Sequence, residues 1–495
     1  MFGASRMMVH RALTAAAAAW FAVSTGRLTA RELLDSAADA ATEGAMMSLF
    51  TIPNMGGAHL GAWRHPEAYD RPVMKLEYNI EAAKLAEQGK FDGIFLADGN
   101  AVRDMDKPTL FEANSPVARP GVFDPVILLT TLAAHTSRLG VVSTATTSFD
   151  QPYFIARRFA SMDHASGGRA GWNMVTNSYA GDALNFNHAE PLSRDARYDR
   201  AEEFVEVVKD LWDSWAEDAF VQDKATGQFL DKSRVREINH DGTHFRVKGP
   251  LNVPPTPQGH PVIFMAGQSE RGKELAARHA DAMFGAGDSA ESMRADYADI
   301  KARMAKYGRH PDELKFIPGV SVFVGRTAAE ADALYDELNA LISPSLGVHY
   351  LSKIVTFDLS GYPLDGPLPD AVPETVVGGS STRTFTVRLA REKGLTIRQL
   401  YEQVVPAFGS PVIKGNPQQV ADEMEHWYRT KVCDGFMLSM PLMPRSLRDF
   451  VELVVPELQK RGVFRKDYEG TTLREHMGLA RPRSRHFAAV GHAAE

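Results

Sequence analysis

The sequence predicts a closed (β/α)8 TIM barrel with long insertions, and two observations carry that prediction. Eight short runs rich in β-branched or aromatic residues, at 48–52, 91–97, 139–144, 170–175, 261–266, 282–285, 316–324 and 435–439, are bounded by Gly, Pro or Asp. Each is followed by a helical pattern, as parallel βαβ units require. Eight such pairs favour a closed barrel over an open doubly wound sheet.

Taken in order, residues 1–45 stand apart. Arg6 and Arg11 precede an apolar run over 12–23 that is too short to span a bilayer. A secretory signal would end in a small-x-small cleavage site; none follows directly, and Arg27 and Arg31 occupy that region. The segment therefore reads as an N-terminal extension outside the fold, which starts near Met46 or Met47. Helices are expected at 74–88, 125–135, 153–163, 198–215, 270–279, 290–306, 328–341 and 447–461. The fourth shows the logic: Phe204, Val207, Val208, Leu211, Trp212 and Trp215 fall on one stripe at spacings of three and four, which marks core. The passage from Arg158 to Thr176 joins a helix to a buried strand through Gly167 and Gly168. Two connections are long, 99–124 and 342–417; the second reads as an insertion, either a lid over the active face or structural padding. One barrel domain thus spans 46–479, and 480–495 reads as a flexible tail.

Composition excludes several classes. In 495 residues, 55 basic against 62 acidic side chains give a formal charge of −7 with no basic block, which disfavours nucleic acid and points to a small-molecule substrate. No later run reaches the apolar length of a membrane span. Cys433 is alone, so neither an intrachain disulfide nor a cysteine metal cage can form; this fits a cytoplasmic protein with a buried thiol. Phosphate-loop, zincin, Cys-x-x-Cys and Gly-x-Gly-x-x-Gly motifs are all missing. His59 and His65 lack the His-x-His pattern of a metal hydrolase, and no metal site is expected.

The positive signals lie at strand ends. In Ala266-Gly-Gln-Ser-Glu-Arg-Gly272, Ser269 would cap the fifth helix and aim its hydroxyl and free N–H groups at the carboxyl end of the barrel, where a phosphate fits. A plain cap is the bland reading, and the second Gly of a nucleophile elbow is missing. Asp98 ends the second strand and Thr144 the third, both facing the mouth if not simply loop caps. Arg194 and Tyr198 lie one helical turn apart. Together with Ser269 these supply acceptors for ring N–H groups, hydroxyl donors and a helix terminus, as a phosphorylated aromatic cofactor needs.

Several stretches carry a family likeness: Trp63-Arg-His-Pro66, Gly89-Lys-Phe-Asp-Gly-Ile-Phe-Leu-Ala-Asp98, Gln151-Pro-Tyr-Phe-Ile-Ala-Arg-Arg-Phe159, Gly167-Gly-Arg-Ala-Gly-Trp-Asn173 and Val454-Val-Pro-Glu-Leu-Gln-Lys-Arg-Gly462. Over residues 47–479 the chain resembles the bacterial-luciferase-like flavin monooxygenase superfamily, in the branch of nitrilotriacetate, dibenzothiophene-sulfone and long-chain alkane monooxygenases. The resemblance implies a homo-oligomer, dimer or tetramer, that takes reduced FMN from a separate NAD(P)H:flavin reductase and uses O2 to oxygenate a small organic substrate. It places the flavin contacts on Asp98, Thr144, Tyr198 and Ser269, with Arg194 where relatives usually carry His. Arg can hold a phosphate or carboxylate but cannot act as a neutral imidazole. Arg194, Arg64 and Arg103 favour an anionic substrate, and no residue is assigned as catalytic acid or base. A deazaflavin-dependent oxidoreductase of the same fold and a non-catalytic flavin-binding protein are the alternatives.

Overall fold

Strands buried on both faces read as unbroken apolar runs, and here those runs close into a ring. The computed structural model describes residues 46–53, 56–102, 122–177, 179–267, 269–287, 289–374, 381–407 and 410–487; the predicted extension and Arg103 lie outside them. Eight parallel strands form the barrel: β1 Ser48–Ile52, β2 Gly93–Leu96, β3 Gly140–Thr146, β4 Ala170–Val175, β5 Val262–Ala266, β6 Ala282–Gly285, β7 Lys315–Val324 and β8 Gly435–Ser439. Each pairs with the next, and β8 returns to β1 with Ser48 opposite Gly435. Beyond Ser321 the long β7 leaves β8 and pairs with Val412–Gly415, a short strand outside the ring that the sequence reading missed.

The outer helices are α1 Leu76–Gln88, α2 Pro125–Ala133, α3 Pro152–Ser166, α4 Arg194–Trp212, α5 Glu270–His279, α6 Ala290–Met304 and α7 Ala328–Ala340. Then come α8 Pro344–Val355, α9 Ser381–Lys393, α10 Ile397–Val404 and α11 Pro417–Arg429. Helix α12 runs Arg445–Asp449, widens into a π turn over Phe450–Val454 and resumes at Val455–Lys460. Pro456 has no N–H to continue the α pattern, which accounts for the widening of a helix predicted as continuous.

Two apolar layers hold the barrel. Inside, Phe50, Phe95, Val142, Val262, Phe264, Ala282, Ile317 and Met437 fill the lumen, with Phe50 edge-on to Phe264 at 5.2 Å between ring centroids. Each fully buried Phe contributes about 2–3 kcal/mol of transfer free energy. Leu473 and Met477, in and just after the turn of helix Leu473–His476, join the same cluster and plug the bottom; a Cβ on Gly140 would sit 2.6 Å from Leu473. Outside, Trp172 packs between Phe159, Phe204 and Trp212.

The α3–β4 corner depends on its two glycines. Gly167 has φ 68° and Gly168 φ 91°, and a Cβ on Gly168 would meet Thr472 at 2.7 Å. Arg169 then donates five hydrogen bonds to Ser166, Thr136, Leu139 and Ala133, so this buried guanidinium fastens β4 to the end of α2. Arg481 pairs with Glu217 at 2.7 Å and Arg485 with Glu206 at 2.6 Å, which ties residues 481–487 to the barrel.

Within the long connection after β7, α8, α9 and α10 enclose their own core of Leu346, Leu351, Val355, Val387 and Leu400. Leu60, from the loop after β1, belongs to that core, so the insertion is anchored on the mouth side of the barrel. A Cβ on Gly347 would lie 2.5 Å from the Tyr401 ring, which shows how closely α8 and α10 approach.

Candidate active site

The carboxyl ends of β1–β8 open on one face, where barrels of this architecture carry their chemistry. Side chains alternate along a strand, so the register that places Val142 in the lumen places Thr144 one layer nearer the mouth. Asn173 lies opposite Thr144 across the β3–β4 pairing. Its strand neighbours Trp172 and Met174 belong to the outer core, which leaves Asn173 on the inner face.

Thr144 donates its proton to the Leu96 carbonyl at 2.7 Å and accepts from Asn173 Nδ2 at 2.8 Å. A hydroxyl has one proton, so these bonds fix which end of the Asn173 amide faces Thr144. Among the described residues, Asn173 Oδ1 is left buried with no hydrogen-bond partner. Thr144, predicted as a ligand contact, thus has its one proton on the Leu96 carbonyl, holds the Asn173 amide and keeps a second acceptor lone pair.

Asp98 stands two residues beyond β2 and accepts from Asn100 Nδ2 at 3.4 Å. Asn177 donates to Asp182 Oδ2 at 2.8 Å and approaches Asn100 Oδ1 at 3.4 Å, so amide side chains link the ends of β2 and β4. Burial, reinforced by the charges of Asp124, Asp182 and Asp150, pushes the Asp98 carboxyl up to about 6 against the bond from the Gly99 N–H. At neutral pH it is still mainly a carboxylate and an acceptor.

Across the mouth, the chain leaves β5 through Gly267 at φ 151° and enters α5 at its cap, Ser269. Ser269 Oγ accepts the Gly272 N–H at 3.1 Å and lies 3.1 Å from the Tyr198 hydroxyl. Tyr198 is one turn into α4, whose own cap is Ser193. A Cβ on Gly272 would meet the Gly267 carbonyl oxygen at 2.6 Å and the Tyr198 hydroxyl at 3.0 Å, so this close approach requires glycine. The Arg271 guanidinium lies 5.9 Å from the Tyr198 ring centroid while bound to Asp199 at 2.5 Å. Arg194 opens α4, exposed, one turn before Tyr198.

The structure thus brings Tyr198 and Ser269 into contact and links Thr144 to the β2 end that leads to Asp98. His59 and His65 are held by protein. His59 accepts from the Gly61 N–H and meets Asn339 at 3.1 Å, and burial lowers it to about 4, so it is neutral. His65 accepts from the Glu67 N–H and faces Glu337 at 3.4 Å, and Arg64 donates to the Leu341 carbonyl at 2.6 Å. A groove of about 820 Å³ between α4 and α5 touches Tyr198 at one edge. Its charges pair with one another, Arg278 with Glu202 and Arg303 with Glu274, which makes it a salt-bridged seam outside the barrel. Among the described residues no cluster of His, Cys, Asp and Glu could hold a metal, and no helix is long and apolar enough to cross a membrane.

Sequence reasoning missed Asn173, Asn177, Asp182 and Gly272. For Asn173 one signal was present: an amide inside an apolar strand has to be satisfied by something.

Fold and site define a (β/α)8 enzyme whose polar side chains converge at the carboxyl ends of β2, β3, β4 and β5. The chain belongs to the luciferase-like monooxygenase family, whose sequence model matches residues 55–434. It is 46% identical over 431 residues to the N-acetyl-S-(2-succino)cysteine monooxygenase of Bacillus subtilis, covering 87% of this chain and 96% of that one. It is 45% identical over 446 residues to component A of the nitrilotriacetate monooxygenase of Aminobacter aminovorans, covering 88% and 97%. The crystal structure of DmoA from Hyphomicrobium sulfonivorans superposes with a TM-score of 0.79 at 33% identity, covering 88% and 92%.

Proposed function

We propose that this protein is the oxygenase of a two-component system, using reduced FMN and O2 to oxygenate a small anionic organic substrate in the cytoplasm. The observation that carries the reading is the contact of Tyr198 with Ser269 at the start of α5, facing a row of acceptors on β2–β4. The residues present suit the cofactor. Two hydroxyls, a glycine-lined approach and the free N–H groups of a ten-residue helix match a phosphate, while Asp98 and the unpartnered Asn173 Oδ1 match ring N–H groups.

On this reading Ser269, Tyr198 and the first turn of α5 hold the phosphate, with Arg194 close by on α4. When bound, reduced FMN would supply two of the four electrons O2 takes up, the substrate supplying the other two as it gains one oxygen atom and the second leaves as water. The protein binds and orients, and buried aromatic side chains, Phe50, Phe95 and Phe264, fill the lumen below the site, which favours a dry reaction. A separate NAD(P)H:flavin reductase delivers the reduced cofactor. That reading is supported by the word "component" in the name of the nitrilotriacetate relative. The two relatives named above act on small polycarboxylates with a central nitrogen or sulfur, which supports a substrate of that chemistry. The test is a reductase-coupled assay over a panel of amino- and thioether polycarboxylates: substrate-dependent product is expected, and O2 consumption that ends wholly in hydrogen peroxide for every member refutes the reading.

A further inference from the structure

Between the end of β4 and the start of α4 the chain crosses back over the barrel mouth. At the end of the short helix Ala180–Asn185, Asn185 Nδ2 donates to the carbonyl of Asn100, in the loop just beyond β2, at 2.8 Å. Phe186 stacks flat on Phe149, in the loop just beyond β3, with ring centroids 4.9 Å apart and planes 3° from parallel, and the His188 ring leans on Phe149 from 5.8 Å. At the far end the Leu192 carbonyl accepts from Arg197 at 2.7 Å, one residue before Tyr198. The connection thus lies over the ends of β2–β4 and is tied to the helical turn that carries Tyr198.

Among the described residues, little else holds it. Every residue from Leu184 to Glu190 is exposed, and Asn187 turns the chain at φ 65°. Leu184, Phe186 and Leu192 are 63%, 39% and 37% exposed, so this stretch carries three large apolar side chains at a polar mouth without a core beneath them. Segments with few buried contacts and an open backbone are the first to move. The helices of the 342–417 insertion, by contrast, enclose an apolar core of their own.

We propose that residues 184–193 form a strap that closes over the bound cofactor and buries Leu184, Phe186 and Leu192, with the Phe149–Phe186 stack keeping it across the mouth. The proposal rests on the flavin reading above. Closure covers the mouth from the side opposite the aromatic lumen, so that the cofactor is shielded from water above as well as below.

The test is limited proteolysis of the full-length protein with chymotrypsin, which cuts after exposed Phe and Leu, without and with FMN, the fragments being identified by mass spectrometry. Phe229, 63% exposed on the connection that leaves the other end of α4, is the internal reference. FMN binding is read independently, by quenching of flavin fluorescence. Saturating FMN is expected to slow cleavage at Phe186 and Leu192 about tenfold, the shift of a strap from mainly open to mainly closed, and to leave Phe229 unchanged. Phe186→Ala is expected to bind FMN as wild type does, yet with FMN bound to be cut at Leu192 about two- to tenfold faster, the share of one aromatic pair. Bound FMN that leaves cleavage at Phe186 and Leu192 unchanged overturns the strap and leaves the flavin reading standing. Equal slowing at Phe229 also overturns it, because the whole fold is then stabilised. Cleavage that ignores FMN and slows with protein concentration assigns the apolar side chains to a second copy of the chain and overturns the proposal. Full protection of Leu192 in Phe186→Ala overturns the role given to the stack, and failure of wild type to bind FMN overturns both readings.

Discussion

Removing the hydroxyls of Ser269 and Tyr198 one at a time separates a helix cap from a phosphate site. Ser269 Oγ accepts the Gly272 N–H at 3.1 Å and also meets Tyr198 at 3.1 Å, so it has two structural jobs. Ser269→Ala loses the cap and is expected to cost about 1 kcal/mol of stability. Tyr198→Phe keeps the cap and should leave stability within about 0.5 kcal/mol. On the proposed reading, both variants lose one hydroxyl contact to the phosphate. A hydrogen bond to a charged group contributes about 1.5–3 kcal/mol, so FMN affinity should fall about 10- to 100-fold in each. Because the two hydroxyls share a hydrogen bond, the double variant should lose less than the sum of the two. Riboflavin, which lacks the phosphate, supplies the control: its affinity should change little in either variant. Titrations of FMN and riboflavin, with thermal unfolding alongside, give the numbers. Equal weakening of both ligands, or no change for FMN, refutes a phosphate at this helix terminus.

Asp98 sets a pH dependence of definite sign. Its folded pKa of about 6 is above the ordinary value of 3.8, so the folded state holds the proton more tightly, and the stability this gives at low pH is lost as pH rises from about 4 through 6. Asp98→Asn should therefore stabilise the protein by about 1–2 kcal/mol at pH 8, allowing for solvent screening at this partly exposed site, and leave it unchanged near pH 3; urea unfolding at the two pH values checks it, and equal effects at both contradict it. Gly272→Ala places a Cβ 2.6 Å from the Gly267 carbonyl oxygen and 3.0 Å from the Tyr198 hydroxyl, so it should cut FMN affinity at least tenfold in a folded protein; unchanged affinity in titration argues against a tight phosphate approach. Arg194→Ala should weaken FMN or raise KM for a carboxylate substrate severalfold, and steady-state kinetics that leave both intact remove Arg194 from the site.

The barrel was legible because strands buried on both faces cannot hide: β4, β6 and β8 match the apolar runs at 170–175, 282–285 and 435–439 to the residue. Val412–Gly415 was illegible because four residues with one charged side chain, Lys414, carry no such run; only the emerging edge of β7 makes them a strand. The helices within 342–417 were obscured by the Pro and Gly that separate them. The Ser269 cap and the place of Tyr198 in α4 were legible because a cap serine and a helical spacing have local signatures. Asn173 was not, since a six-residue strand does not reveal which of its faces meets the lumen until the register with β3 is known. For Thr144 the sequence pointed to the right layer, but its proton is taken by a carbonyl on β2, a contact 48 residues away in the chain.

The most direct test of the account supplies the purified protein with FMN, NADH, a flavin reductase and 18O2, and analyses the products of amino- and thioether-polycarboxylate substrates by mass spectrometry. One 18O atom is expected in an organic product, formed only when protein, reduced FMN and substrate are all present. Product oxygen drawn from water, or turnover that proceeds without O2, would contradict it.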